Sequence, residues 1–382
     1  MKTPRDWVTR PLSQFVSLQR GFDLPTHARV PGSVPVLSSG GVNGSHNEAK
    51  VDGDNFVIGR VTNIGRPTWS SVPFWPLNTT LFVKDFLGNF PKFCFYWFLA
   101  TDLSGFDSGS VQPTLNRNYI ANIPVAIPSF VEQRRIAEVL GALDDKIESN
   151  LRTISLSESL VLAHFSSLFN SGPVSAGTAL SDLMDVNPRY SLKRENLAIK
   201  VSMQDIPSDS PVINTHAVMP VGAGSRFSNG DVLFARISPC LENGKTAIVD
   251  FLSSSEVGFG STEFIVLSPR GEISTTWIYA LARDPNFREA CRQAMSGSSG
   301  RQRLSADFFS RYTIATPKES DLVAFNEATM PLLTLMGARR DENQRLAPLR
   351  DALLPELMSG RMRVDEAGYL VSEALDEEVA DV

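Results

Sequence analysis

Ile127-Pro128-Ser129-Phe130-Val131-Glu132-Gln133-Arg134-Arg135-Ile136-Ala137-Glu138-Val139-Leu140 opens the stretch that decides the fold. A strand-like segment, Ile123 to Pro128, stops at the proline. A run of about forty residues to Phe169 then follows with no Pro and one Gly, Gly141. Leu140, Ile147, Ile154, Val161 and Leu168 recur every seventh residue. Ile136 and Leu143 fill the companion slot, which Asn150, Ser157 and His164 continue. That spacing is the a/d seam of a coiled coil, and a polar residue in such a slot can fix register.

The plan returns further along the chain. Tyr312-Thr313-Ile314-Ala315-Thr316-Pro317 leads into a second helical run, Lys318 to Met358. In the same frame it reads Leu322, Phe325, Thr329, Leu332, Met336, Arg339, Asn343, Leu346, Arg350, Leu353 and Leu357. Pro331, Pro348 and Pro355 are expected to kink or interrupt it. A helix of forty residues is about 60 Å long at 1.5 Å per residue, too long for a small domain to cover its stripe. Two such helices in one chain most simply pair with each other, antiparallel, and offer the remaining apolar surface to a partner. Ile136, Leu140, Leu143, Ile147 and Ile154 with Leu332, Met336, Leu346, Leu353 and Leu357 are the candidate coiled-coil and partner-docking residues.

The segments before the helices also match. Gly53 to Arg60 resembles Gly230 to Arg236, Asn78 to Val83 resembles Ser261 to Val266, and Ser108-Gly109-Ser110 resembles Ser296-Gly297-Ser298. Order is kept and only loops change length, which marks a domain duplication rather than a solenoid. Short β-branched and aromatic runs lie between Gly, Ser, Asn and Pro clusters. A helix-like patch precedes each Ser-Gly-Ser loop. The expected class is α+β, with two α/β globular domains alternating with two long helices that pair as an antiparallel coiled coil. The boundaries read as 1–128, 129–170, 171–317 and 318–363, with an acidic tail over 364–382.

Charge bounds the partners. The chain carries 36 Lys and Arg against 42 Asp and Glu, a net −6. Seven of those acids follow Arg363 with no base among them, so residues 1–363 carry +1. The globular segments are mildly basic, which permits nucleic-acid binding without demanding it. The tail reads as a solvated, partly disordered end. No apolar run reaches membrane-spanning length. Cys94, Cys240 and Cys291 are far apart and read as reduced thiols of a cytoplasmic protein.

Catalytic motifs are nearly present and fail. Gly244-Lys245-Thr246 resembles the end of a phosphate-binding loop, but Pro239 stands where its first Gly is needed and a strand-like run follows. Asn187-Pro188-Arg189-Tyr190 is close to an adenine-methyltransferase box, with Arg189 in place of a Pro. It reads as a turn in which Arg189 is a candidate phosphate contact. No Cys/His cluster suits zinc, and four scattered histidines support no nucleophile–base pair. The chain reads as a binding subunit.

At Val131 to Leu140, continued by Leu143-Asp144-Asp145-Lys146-Ile147, the sequence resembles the specificity subunits of type I restriction-modification systems. Leu349 to Arg361 in the second helix supports this, as does the duplicated layout of residues 1–363. Glu319-Ser320-Asp321-Leu322-Val323, at the start of the second helix, lacks the signature of the first. The resemblance implies two target-recognition domains, each reading half of a split, asymmetric site on double-stranded DNA. It implies helices that set the spacer and dock two methyltransferase subunits, with restriction subunits joining the complex. S-adenosylmethionine, ATP and magnesium would then bind those partners and not this chain. Phosphate contacts come from Arg, Lys and polar loops, and base contacts from Arg, Asn and Gln. The candidates are Asn43, Ser45, Arg60, Arg66, Ser108, Ser110 and Gln112 in the first domain. In the second they are Arg236, Lys245, Ser296, Ser298, Arg301, Gln302 and Arg303. Two other readings are a coiled-coil DNA-binding adaptor outside restriction and a self-contained DNA methyltransferase.

Overall fold

A computed structural model describes residues 6–106, 113–193, 195–298 and 301–376. It forms two compact units, one of Met1–Lys146 with Leu346–Val382 and one of Ile147–Arg345.

The first unit holds β1 (Val8–Pro11), β2 (Ser17–Arg20), β3 (Val34–Ser38), β4 (Gly41–His46), β5 (Asn55–Gly59), β6 (Pro67–Ser70), β7 (Trp75–Pro76) and β8 (Thr80–Asp85). Helices α1 (Pro91–Ala100) and α2 (Arg117–Ile120) and strand β9 (Pro124–Ile127) complete its domain before the long helix α3 (Phe130–Leu168). One sheet runs β2-β8-β5-β6, all antiparallel. A second runs β4-β3-β7, with β3 and β7 parallel. β1 and β9 pair antiparallel and bring the domain's two ends together. β5 is buried along its whole length because Phe56, Val57 and Ile58 face packed layers on both sides. α1 buries Phe93 to Phe98 without a polar stripe, so it is a core helix.

The second unit repeats this wiring. Its strands are β10 (Thr178–Ala179), β11 (Asp185–Val186), β12 (Leu197–Val201), β13 (Ala217–Pro220), β14 (Arg226–Ser228), β15 (Val232–Ala235), β16 (Thr246–Ile248), β17 (Val257–Gly260), β18 (Phe264–Ser268) and β19 (Thr313–Ile314). Its helices are α4 (Leu180–Leu183), α5 (Thr275–Arg283), α6 (Pro285–Gln293), α7 (Phe308–Arg311) and most of α8 (Glu319–Met358). The sheet β11-β18-β15-β16 matches β2-β8-β5-β6 strand for strand. The sheet β13-β12-β17 matches β4-β3-β7, including the parallel pair, and β14 at its edge answers to an antiparallel bridge of Val51 with Phe74 in the first unit. The pair β10-β19 matches β1-β9. The ladder sets Glu263 opposite Arg236 as it sets Thr79 opposite Arg60, one residue away from the match that sequence alone suggests.

In each unit a buried tyrosine ties the domain's helix to α3. Tyr96 of α1 donates to Asp144 Oδ2 at 2.7 Å. Tyr279 of α5 donates to Glu158 Oε1 at 2.5 Å. Arg350 pairs with Asp144 at 3.0 Å, and Arg283 lies 3.4 Å from Glu158.

α3 and α8 pair antiparallel. In the second unit Phe165 stacks edge-on against Phe325, and Asn150 donates to Glu342 and Asn343 at 2.9 Å each. In the first, Ile136, Leu140, Leu143, Leu346, Leu353 and Leu357 are buried. The heptad frame drifts at the end of α3, where Phe165 is buried while His164 and Leu168 are exposed. A helix of 3.6 residues per turn leaves a strict seven-residue repeat by about 20° per heptad. α8 runs unbroken through Pro331, Pro348 and Pro355, contrary to the expected interruption. All three prolines are exposed, so the carbonyls they leave unbonded can be solvated.

The tail also differs from expectation. Val364–Asp376 forms a helix, α9, with Val364, Ala367 and Val371 buried. That one-sided apolar spacing outweighs the acid count, and Asp365 pairs with Arg135. Asp365 and Glu366 in the first turn suit the positive end of the helix dipole.

Replacing Tyr96 or Tyr279 with Phe strands a carboxylate oxygen, half-buried at Asp144 and buried at Glu158. Urea unfolding should show a loss of about 1–3 kcal/mol for each. Glu158 adds a pH signature, because burial raises its pKa above the ordinary value. Its stabilising contribution is full below the unfolded carboxylate pKa of about 4.3 and is lost as pH rises through the folded value. The stability gap between wild type and Glu158→Gln should therefore move in the variant's favour from pH 4 to pH 7. A gap that does not change with pH counts against this assignment.

Candidate nucleic-acid interface

In the second unit the turn after β11 is built by its own side chains. Asn187 sits at φ 52°, and both its N–H and its Oδ1 bond Val266 of β18, at 2.7 and 3.0 Å. Tyr190 donates to Asp231 Oδ1 at 3.0 Å, while Asp231 Oδ2 accepts from Ser228 N–H at 2.8 Å. Burial raises the Asp231 carboxyl, and burial pushes the Tyr190 phenol up to about 12. This frame delivers Arg189 to an open cleft that also takes Arg226 from β14 and Arg236 from the end of β15. Sequence reasoning found Arg236 and Arg189 separately and missed Arg226. No periodic signal marks Arg226, since the place of β14 is taken in the first unit by a single antiparallel bridge, Val51 with Phe74, and no arginine stands there.

The loop Ser296 to Arg303 is pinned at its base. Ser296 and Arg303 exchange backbone bonds at 3.1 and 2.9 Å, and Ser238 N–H donates to Gln302 O at 3.0 Å. Arg303 grips Glu263 through Nε and Nη2 at 2.7–3.0 Å, and that bond holds the Glu263 carboxyl below its ordinary value. Arg303 is thus a strut, while Ser296, Ser298, Arg301 and Gln302 face solvent. Lys245 is engaged elsewhere, since its ammonium donates to Met203 O at 2.8 Å and Ile206 O at 2.9 Å. Arg283 and Arg288, which enrich the loop's approach in positive charge, hold carbonyls of Ser208, Leu241, Glu242 and Gly244.

In the first unit Asn43 and Ser45 are exposed on the edge strand β4, where Arg29 Nη1 donates to Asn43 O. Arg66 is exposed. Arg60 occupies the backbone position of Arg236: Leu115 N–H donates to Arg60 O as Leu304 N–H does to Arg236 O, at 2.8 and 2.9 Å. Their side chains differ. Arg60 holds Asn78 O at 3.0 Å and Leu115 O at 3.3 Å, and burial with the nearby charge of Arg20 lowers its pKa. Arg236 Nε is buried without a partner. Ser108, Ser110 and Gln112 lie outside the described residues.

Of the candidate docking residues, Ile136, Leu140, Leu143, Ile154, Met336, Leu346, Leu353 and Leu357 are buried within the chain, and Ile147 and Leu332 are half-buried. The apolar groups that α3 leaves exposed include Val131, Leu151, Leu156 and Leu160 instead. No helix among the described residues is long and apolar enough to cross a membrane.

Residues 4–155 match the model of the type I restriction modification DNA specificity domain. The chain is 35% identical over 94 residues to the EcoAI specificity subunit of Escherichia coli, 24% of this chain and 16% of that one. It is 28% identical over 148 residues to the EcoEI specificity subunit of Escherichia coli, 37% and 25% of the two chains. These matches span at most a quarter of those relatives. The MjaIX specificity subunit of Methanocaldococcus jannaschii matches more widely, at 22% identity over 76% of this chain and 74% of its own. The crystal structure of a type I S subunit from M. genitalium superposes with a TM-score of 0.62 at 15% identity, over 94% of this chain and 98% of that one, and so shares the fold.

Lys245→Ala should lower the melting temperature, because two half-buried carbonyls lose their donor. Arg301→Ala should leave melting unchanged while weakening retention on DNA by roughly ten-fold. Thermal scans run beside DNA-binding titrations separate the two roles, and a melting loss at Arg301 would count against the loop as a contact surface.

Proposed function

We infer that this chain, which carries a type I restriction modification DNA specificity domain over residues 4–155, is a DNA sequence-specificity subunit. The observation that carries the reading is the strand-for-strand repetition of that domain's topology in the second unit. Two similar domains with different surface side chains suit an asymmetric target read in two halves. The first offers Asn43, Ser45 and Arg66, and the second offers Arg189, Arg236 and Arg301. Arg and Asn carry the planar forks that suit guanine and adenine edges and phosphate oxygens.

α3 and α8 are the helices by which the two domains belong to one chain. Their pairing supports a role in holding the readers at a set separation, as half-site spacing does in dimeric DNA-binding proteins. Methyltransferase subunits dock on the exposed helical surface and supply S-adenosylmethionine. Restriction subunits, with ATP and magnesium, join through that assembly. Gly244-Lys245-Thr246 supports this division of labour: its lysine is spent on two carbonyls and a strand follows it. The chain recognises, and its partners carry out the chemistry.

Mapping N6-methyladenine in cells with and without this chain tests the reading. A split motif should be methylated only when the chain is present. Exchanging residues 171–317 for those of a divergent homologue should change one half of the motif and leave the other. A methylation pattern indifferent to the chain would sink the proposal.

A further inference from the structure

Where the two sheets of the second unit meet, they leave a cleft of about 470 Å³ between the turn after β11, the start of β14 and the end of β15. Three arginines line it, Arg189, Arg226 and Arg236, with Thr262 beside them. None of the three makes an ion pair among the described residues. The carboxylates of this region are committed elsewhere: Glu263 to Arg303, Asp231 to Tyr190 and Ser228 N–H, and Asp185 to Arg270. Arg226 spends one nitrogen on Tyr190 O at 3.2 Å, and Arg236 keeps a buried Nε with no acceptor. Arg236 also lies near enough to Glu263 for its charge to help hold that carboxyl below its ordinary value, behind the hydrogen bond from Arg303.

We propose that this cleft binds a backbone phosphate of the nucleic acid, with Arg189 and Arg236 as its donors and Arg226 as the group that positions the turn. The inference rests on the DNA-binding reading and adds a site to it. Three arginines in a lining that holds no carboxylate suit an anion, whereas a base edge presents donors as well as acceptors. Guanidinium forks match two oxygens of a phosphate. The pinned turn Asn187 to Tyr190 gives the cleft a fixed wall. Such a contact sets register on the duplex and carries no sequence information of its own.

The test uses the full chain reconstituted with its methyltransferase subunits, a duplex carrying the methylated motif and a scrambled duplex. Binding is titrated against salt for wild type, Arg189→Ala, Arg236→Gln and the charge-matched control Arg292→Ala. Each cleft variant should weaken binding to both duplexes by a similar factor, and should lower the slope of log K against log salt by about one. The control should keep the wild-type slope. Unchanged slopes in both cleft variants overturn the proposal. So does a variant that loses discrimination between the duplexes at constant slope, since that describes a base reader. Calorimetry with inorganic phosphate should show no saturable site; a site that Arg189→Ala abolishes would make free phosphate the ligand. The scrambled duplex keeps the two readings separate. Wild-type protein that fails to discriminate would damage the specificity assignment, while the slopes would still decide the cleft.

Discussion

Everything in this chain hangs on two long helices, and in each unit a tyrosine hydroxyl aimed at a helix carboxylate fixes how the domain meets them. Tyr96 meets Asp144 and Tyr279 meets Glu158. Both acceptors lie on α3, and each has an arginine beside it. An apolar interface between a domain and a helix can slide, because burial is roughly indifferent to small shifts. A directional bond in a desolvated setting cannot. Surface side chains on such a domain project from a backbone that is held in place.

The duplication shows where constraint ends and freedom begins. Both domains keep the same strand order, the same parallel pair and the same backbone bonds around Arg60 and Arg236. At that shared backbone position one guanidinium closes over two carbonyls and the other keeps a buried Nε without a partner. The edge strand β14, with its arginine, is reduced in the first domain to one bridge between Val51 and Phe74. The ladder fixes where side chains project, and the identity of those side chains is left to vary. That separation lets related domains hold unlike surfaces without refolding.

Much of this was legible in the chain. Heptad spacing marked α3, Pro128 and Pro317 stood just before the long helices, and Gly-Asp runs marked the repeated central strands. What escaped notice depended on tertiary partners. Lys245 and Arg303 looked like free cations because their acceptors lie 39 or more residues away in sequence. α9 looked disordered because acid count conceals a stripe of only three buried residues, Val364, Ala367 and Val371. The prolines of α8 looked disruptive because a sequence does not say which side of a helix faces water. Arg226 was invisible because a three-residue edge strand has too little pattern to read.

The polar seam carries one more consequence. Asn150 is buried and donates to Glu342 and Asn343, residues 192 and 193 positions away. A slip of one heptad would bring leucine-like neighbours together again yet leave that amide dry and unbonded. The two helices are therefore coupled in length. A segment gained in one and not in the other shifts the amide from its acceptors and is felt first as instability. Only a matched pair of insertions on the same side of Asn150 keeps the bond. Over evolutionary time such a chain is expected to change its helices by compensated steps, so that distant stretches of the gene inherit a common ruler.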